Sequence, residues 1–157
     1  MKLTIAYDGT GYHGWQIQPN LLTVQAKINQ AATRIIGEVV SVIGAGRTDT
    51  GVHATGQVAN FVTHSQMPIT TVQKALNANL PPDIAILDVE EVSADFHARF
   101  SAIRRRYKYT ILNLFPCPFR RHTAFFVPKP MRSQGCRAQT KLEKTSKQKW
   151  YFVLHFI

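Results

Sequence analysis

The segment GAGRTDTGVH, Gly44 to His53, sets one carboxylate, Asp49, two residues after Arg47 and among glycines. Three kinds of chemistry would use a carboxylate so placed. It could be the acid of a salt-bridged turn, one half of an aspartic protease pair, or a nucleophile presented to a nucleic-acid base.

The protease reading needs two carboxylates sharing one proton in apolar surroundings. Arg47 works against that, because a nearby cation lowers a carboxylate's pKa. The other candidate, Asp8-Gly9-Thr10, is not a D-T-G, so a second acid would have to come from a symmetric partner. For an isolated R-x-D in a loop, a tolerated ion pair between Arg47 and Asp49 is the commoner case. The glycines on either side (Gly44, Gly46, Gly51, Gly56) favour the nucleophile, since they admit close approach by a bulky ligand. An ionised aspartate held by a cation cannot serve as a general acid at neutral pH, but it can attack. Gly44-Ala45-Gly46 lacks the third glycine of a dinucleotide fingerprint and the Gly-Lys-Ser/Thr of a phosphate loop. The six histidines show neither HExxH nor His-Cys spacing, so no metal site is expected.

A second constellation is basic and aromatic. Arg104, Arg105 and Arg106 run directly into Tyr107, and Arg99, Lys108, Arg120 and Arg121 carry the cluster on without an acid among them. Charge for phosphates and a ring for stacking are what binding an extruded base requires. An aromatic on an alternating strand is as readily a core residue, and Tyr107 shares its spacing with Tyr109 and Ile111. The pattern leaves the two readings even.

The net charge of +10 points to a polyanionic partner. Residues 1–128 hold twelve Lys/Arg against eight Asp/Glu, whereas residues 129–157 hold seven against Glu143 alone. Most of the excess therefore lies in a short tail of a kind often merely solvated, and the internal cluster is the better footprint. At 157 residues and 45% hydrophobic, the chain can build one domain with a core. It contains no apolar run of about 18 residues, and Met1-Lys2 leads into a strand pattern rather than a signal peptide. Cys117 and Cys136 form neither a disulfide framework nor a CxxC pair. A soluble, reducing, cytoplasmic setting is expected.

These residues need elements to position them. KLTIAYDG alternates Leu3, Ile5 and Tyr7 against polar neighbours, as in a half-buried strand. GTGYHGWQIQPN reads as loop. Thr23 is placed to cap a helix bearing Val24, Ile28, Ala31 and Ile35, with Gly37 as its stop. EVVSVIGAG and GQVANFVT read as strands two and three, joined by the Gly44–Thr55 loop. Thr70 and Gln73 make a capping box for a second helix, ended by Pro81-Pro82. IAILDVEEV, RRYKYTILN and TAFFV supply three more strands. Two helices among antiparallel strands predict an α+β fold with both helices on one face of the sheet. After Pro130 the pattern collapses into polar, basic sequence before the apolar WYFVLHFI end, Trp150–Ile157, which is more suited to self-association than to docking as a substitute strand.

Four blocks, YDGTGYHGWQIQP (Tyr7–Pro19), GAGRTDTGVHATGQVANF (Gly44–Phe61), LNANLPPDIAI (Leu76–Ile86) and DFHARFSAIRRRYKY (Asp95–Tyr109), together resemble the bacterial tRNA pseudouridine synthase A family. The resemblance spans residues 3 to about 128. It implies ferredoxin-like α/β halves around a basic cleft, and a cofactor-free isomerisation of uridine to pseudouridine at positions 38 to 40 in the anticodon arm of tRNA. It implies Asp49 as nucleophile, Arg47 as its neighbour in the active-site loop and Tyr107 as the ring stacked on the target base. Arg104, Arg105 and Arg106 are expected to contact the RNA, and a homodimer is expected of the full-length family. Where the family commonly has Ala, this chain has Thr50.

The family pattern stops near Pro130, so residues 1–130 read as the first half of the catalytic domain and 131–157 as a tail foreign to it. The chain therefore reads as a truncated or frame-shifted product. The competing expectation is an inactive RNA-binding remnant that keeps the basic face without a closed site.

Overall fold

A computed structural model describes residues 1–108, 110–113, 115–129 and 154–156. The chain forms two compact units. The first comprises residues 1–106 together with strand 154–156, and the second begins at Tyr107.

In the first unit, strand β1 (Lys2–Tyr7) leads to helix α1 (Val24–Ile36), the short strand β2 (Ile43–Gly44), strand β3 (Ala54–Asn60), helix α2 (Ile69–Asn79) and strand β4 (Ile84–Glu90). The sheet runs β4-β1-β3-β2, and each of these pairings is antiparallel. This is the expected ferredoxin-like arrangement. Alternation in β1 buries Leu3, Ile5 and Tyr7, and they meet Val24, Ile28 and Ala31 of α1 and Val72 and Leu76 of α2 in one core. The helical spacing read from sequence is the buried stripe of each helix. Gly37 ends α1 in the left-handed conformation, φ 81°.

The second strand is far shorter than the expected Glu38–Gly46. The reason lies on α1, whose Gln25, Asn29 and Thr33 stand four residues apart. Gln25 Nε2 donates to the carbonyl of Val42 at 2.7 Å, Val42 N–H to Asn29 Oδ1 at 3.0 Å, and Val40 N–H to Thr33 Oγ1 at 3.0 Å. Helix side chains thus take the backbone groups that a ladder would have used. On α2, Asn77 exchanges two hydrogen bonds with the backbone of Ile86 (2.8 and 2.9 Å), and Gln73 Nε2 donates to the carbonyl of Leu87 at 2.7 Å.

That bond explains why the expected Thr70–Gln73 capping box is not formed. The helix begins at Ile69 after Pro68, and the Gln73 amide is engaged with β4. Thr23 does occupy the N-cap of α1, but it makes no capping bond, and its hydroxyl is buried without a partner.

The expected fifth strand is split. Strand β5 (Arg105–Arg106) belongs to the first unit, whereas β6 (Ile111–Asn113) and β7 (Phe125–Val127) form a parallel pair in the second. Tyr109 lies outside the described residues, as does most of the tail. Of the tail, strand β8 (Leu154–Phe156) runs parallel to β3 at Ala54 and Gly56 and antiparallel to β5. The tail end thus docks as a strand within the sheet, where self-association was expected. The polar groups at the start of β3 are available there because β2 pairs only with Ala59 and Asn60.

Candidate active-site loop

Asp49 lies in the connection between β2 and β3, and that connection is built upon another loop. β1 ends at Tyr7, which pairs with Ala54 at the start of β3. The two loops leaving these strand ends, Asp8–Trp15 and Ala45–His53, therefore begin side by side. Asp8 turns the first loop, its Oδ1 accepting from Thr10 N–H at 2.9 Å and from the Thr10 hydroxyl at 2.6 Å. The Thr10 hydroxyl, ahead of the other contacts, holds the Asp8 carboxyl below the usual carboxylate range.

Three hydrogen bonds fasten the loops to each other, and a fourth ties Thr48 to the end of β1. Trp15 N–H donates to the carbonyl of Thr48 at 3.0 Å, and Gly51 N–H to the carbonyl of Tyr12 at 3.2 Å. Gly9 N–H donates to His53 Nδ1 at 3.2 Å. The hydroxyls of Tyr7 and Thr48 lie 2.9 Å apart, and either can donate. The approach is close enough that a β-carbon on Gly9 would stand 2.0 Å from the carbonyl oxygen of Val52. The first loop is anchored in turn at Asp83, whose carboxylate accepts from the Tyr12 hydroxyl at 2.7 Å. Burial, followed by that carboxylate, raises the pKa of Tyr12.

Along the loop, Arg47 is exposed, Thr48 buried and Asp49 exposed. Thr48 points into the framework of Tyr7 and Gln57, and its neighbours are left on the surface. Burial pushes the Tyr7 phenol up to about 12, with the neighbouring Thr48 hydroxyl and Gln57 amide pulling the other way. Gln57 Nε2 donates to the carbonyl of Gly46 at 2.7 Å.

The salt-bridged turn is not formed. Among the described residues Lys2 pairs with Glu90, His53 Nδ1 lies 2.9 Å from Asp8 Oδ1, and Arg47 makes no ion pair with Asp49. The picture of an aspartate held by the nearby cation is corrected accordingly: the loop is held by its backbone and by Thr48, and among the described residues the carboxylate has no hydrogen bond or ion pair. Gly44 serves another purpose than ligand access, because a β-carbon there would stand 2.6 Å from the indole of Trp15. Gly51 is needed for its turn, at φ 77°.

The basic segment is brought in at one point. Arg105 Nη2 donates to the carbonyl of Ala45 at 3.1 Å, tying β5 to the root of the loop. Arg104, Arg105 and Arg106 are exposed. Tyr107 opens the second unit and is 54% exposed, which removes it from the core. Among the described residues no group of three or more His, Cys, Asp or Glu side chains is placed to hold a metal ion, and no helix is long and apolar enough to cross a membrane.

The residue pattern did not single out Tyr7, Tyr12, Trp15 and Gln57 as the residues that hold these loops. A signal existed for Trp15: a large aromatic in a glycine-rich loop needs somewhere to bury itself, and it is 1% exposed.

Fold and loop together define a ferredoxin-like α+β domain that presents an exposed carboxylate on a loop whose root is bonded to a basic strand. The family model for tRNA pseudouridine synthase matches residues 3–101, and the chain belongs to that family. It is 54% identical over 124 residues to tRNA pseudouridine synthase A of Maridesulfovibrio salexigens, covering 78% of this chain and 46% of the relative. It is 52% identical over 128 residues to the protein of the same name from Acetivibrio thermocellus, covering 81% and 52%. Against that of Ruminiclostridium cellulolyticum the identity is 46% over 149 residues, 95% of this chain and 57% of the relative. The chain spans about half the length of the curated relatives it matches.

Proposed function

We propose that this chain carries the nucleophile loop of a tRNA pseudouridine synthase, acting on uridine in the anticodon arm. Asp49 is the nucleophile and Arg47 its loop neighbour. Tyr107 is the ring on which the target base stacks, and Arg104, Arg105 and Arg106 face the RNA backbone. The observation that carries the reading is the state of the Asp49 carboxylate: exposed, with no side-chain hydrogen bond or ion pair among the described residues, in a loop whose flanks are fastened to the fold.

The chemistry suits such a site. The N1–C1′ bond of uridine breaks, the base turns, and a C5–C1′ bond forms. The proton on C5 leaves and N1 gains one, so nothing is oxidised and no cofactor is required. Extruding the base costs a few kcal/mol, and stacking on an aromatic ring returns about 1–3 kcal/mol. On this reading residues 1–130 are one half of the catalytic domain and residues 131–157 a tail outside the family pattern, whose strand 154–156 joins the sheet. Assembly as a homodimer follows the expectation for the full-length family.

Incubation with unmodified tRNA tritiated at C5 of uridine tests the reading. Label release that is abolished in Asp49→Ala supports it, and release that persists in that variant refutes the nucleophile assignment. The second reading, RNA binding without turnover, rests on the exposed Arg104, Arg105 and Arg106. It predicts tRNA binding with no label release from the unsubstituted chain.

A further inference from the structure

We propose that Gln57, acting with Tyr7, is a positioning residue that sets the Arg47–Asp49 segment in its presented conformation. The proposal rests on the reading of Asp49 as the nucleophile.

Gln57 lies on β3 opposite Ile5, on the face that carries the core, and it is fully buried. Its Nε2 donates to the carbonyl of Gly46 at 2.7 Å, but among the described residues its buried Oε1 has no hydrogen-bond partner. An amide placed this way is a poor choice for stability. Desolvating an acceptor without satisfying it costs free energy that a leucine or methionine of similar volume would not incur. What the amide supplies is the location of the Gly46 carbonyl.

Tyr7 does the same on the other side of Arg47. Its hydroxyl meets that of Thr48 at 2.9 Å, and both side chains are buried. Residues 46 and 48 are therefore tied to two adjacent, paired strands of the sheet, and Arg47 is held between them. Asp49 follows directly, with its own carbonyl accepting from Val52 N–H at 3.2 Å. The tethers reach from β1 and β3, the two central strands of the ferredoxin-like sheet, so the loop inherits the rigidity of the core. Holding a reacting group in place in this way is what a positioning residue contributes to rate.

The test uses the full chain with Gln57→Leu, and Gln57→Met as a second variant in case leucine does not fit. Amide hydrogen exchange at Trp15, whose N–H donates to the Thr48 carbonyl, reports the position of the loop. Exchange at Ile28 in α1 is the control. We expect Tm to be unchanged or raised, Trp15 exchange to quicken at least tenfold with Ile28 unaffected, and kcat for C5 label release to fall at least tenfold at constant KM. Unchanged Trp15 exchange and turnover would overturn the proposal. So would a lowered Tm with exchange quickened equally at both sites, since that is a purely structural role. If the unsubstituted chain releases no label, the proposed function fails, and the exchange measurement still decides whether Gln57 holds the loop.

Discussion

A β-carbon placed on Gly14 would stand 2.3 Å from the carbonyl oxygen of Thr48, and the glycine is at φ 83°. The loop that carries Asp49 is thus seated against bare backbone. Gly14→Ala faces both a left-handed conformation and a clash with a main-chain atom that no rotamer change relieves. We expect a loss of about 2–3 kcal/mol in chemical denaturation, together with faster exchange at Trp15. A loss below about 0.5 kcal/mol would show that the loop shifts freely.

Tyr7 makes stability depend on alkaline pH. Its phenol is raised from 10.0 to about 12, first by burial. A group whose folded pKa is raised stabilises the fold fully below its unfolded pKa and loses that contribution as pH climbs through the folded one. Two units correspond to roughly 3 kcal/mol, lost between about pH 10 and pH 12. Tyr7→Phe should therefore unfold less steeply over that window than the unsubstituted chain, although it is less stable by about 1 kcal/mol at neutral pH for want of the Thr48 hydrogen bond. Parallel stability curves across that range would contradict the assignment.

The three arginines should separate in their effects. Arg104→Ala and Arg106→Ala are expected to weaken tRNA affinity and to lower the log–log salt slope by at most about one unit each. Arg105→Ala should in addition slow label release, because Arg105 also holds the carbonyl of Ala45 at the root of the loop. An unchanged slope in all three would shift the electrostatic contact to residues 129–157, where seven Lys/Arg accompany Glu143.

Deletion of residues 131–157 removes β8 from its place between β3 and β5. The four strands β1 to β4 and both helices stay complete, so unfolding should remain cooperative, with a loss of no more than about 2 kcal/mol for the few ladder bonds given up. Loss of the cooperative transition, followed by circular dichroism, would place the tail in the core and move the domain boundary beyond residue 130.

Much of this protein is legible in local pattern. The alternation of Leu3, Ile5 and Tyr7, the helical recurrence of Val24, Ile28 and Ala31, and the glycine after α1 are set by side-chain periods of two and 3.6 residues. Those periods belong to the backbone itself and need no knowledge of partners. The loop motif around Asp49 was visible too, as residue types in a distinctive order.

Tertiary structure alone decided what each polar group would meet. Val42 is 13 residues from Asn29 and 17 from Gln25, yet those side chains, not a neighbouring strand, take its backbone bonds. Gln73 looks like a capping residue in sequence and is spent on β4 instead. The adjacent Arg47 looks like the partner of Asp49, whereas the loop is held through Thr48 by Tyr7, 41 residues earlier. A buried donor or acceptor must be satisfied by whichever group the fold carries to it, and chain separation does not reveal which group that will be. The choice of Asp49 as the proposed nucleophile was therefore local information, and the means of holding its loop still was not.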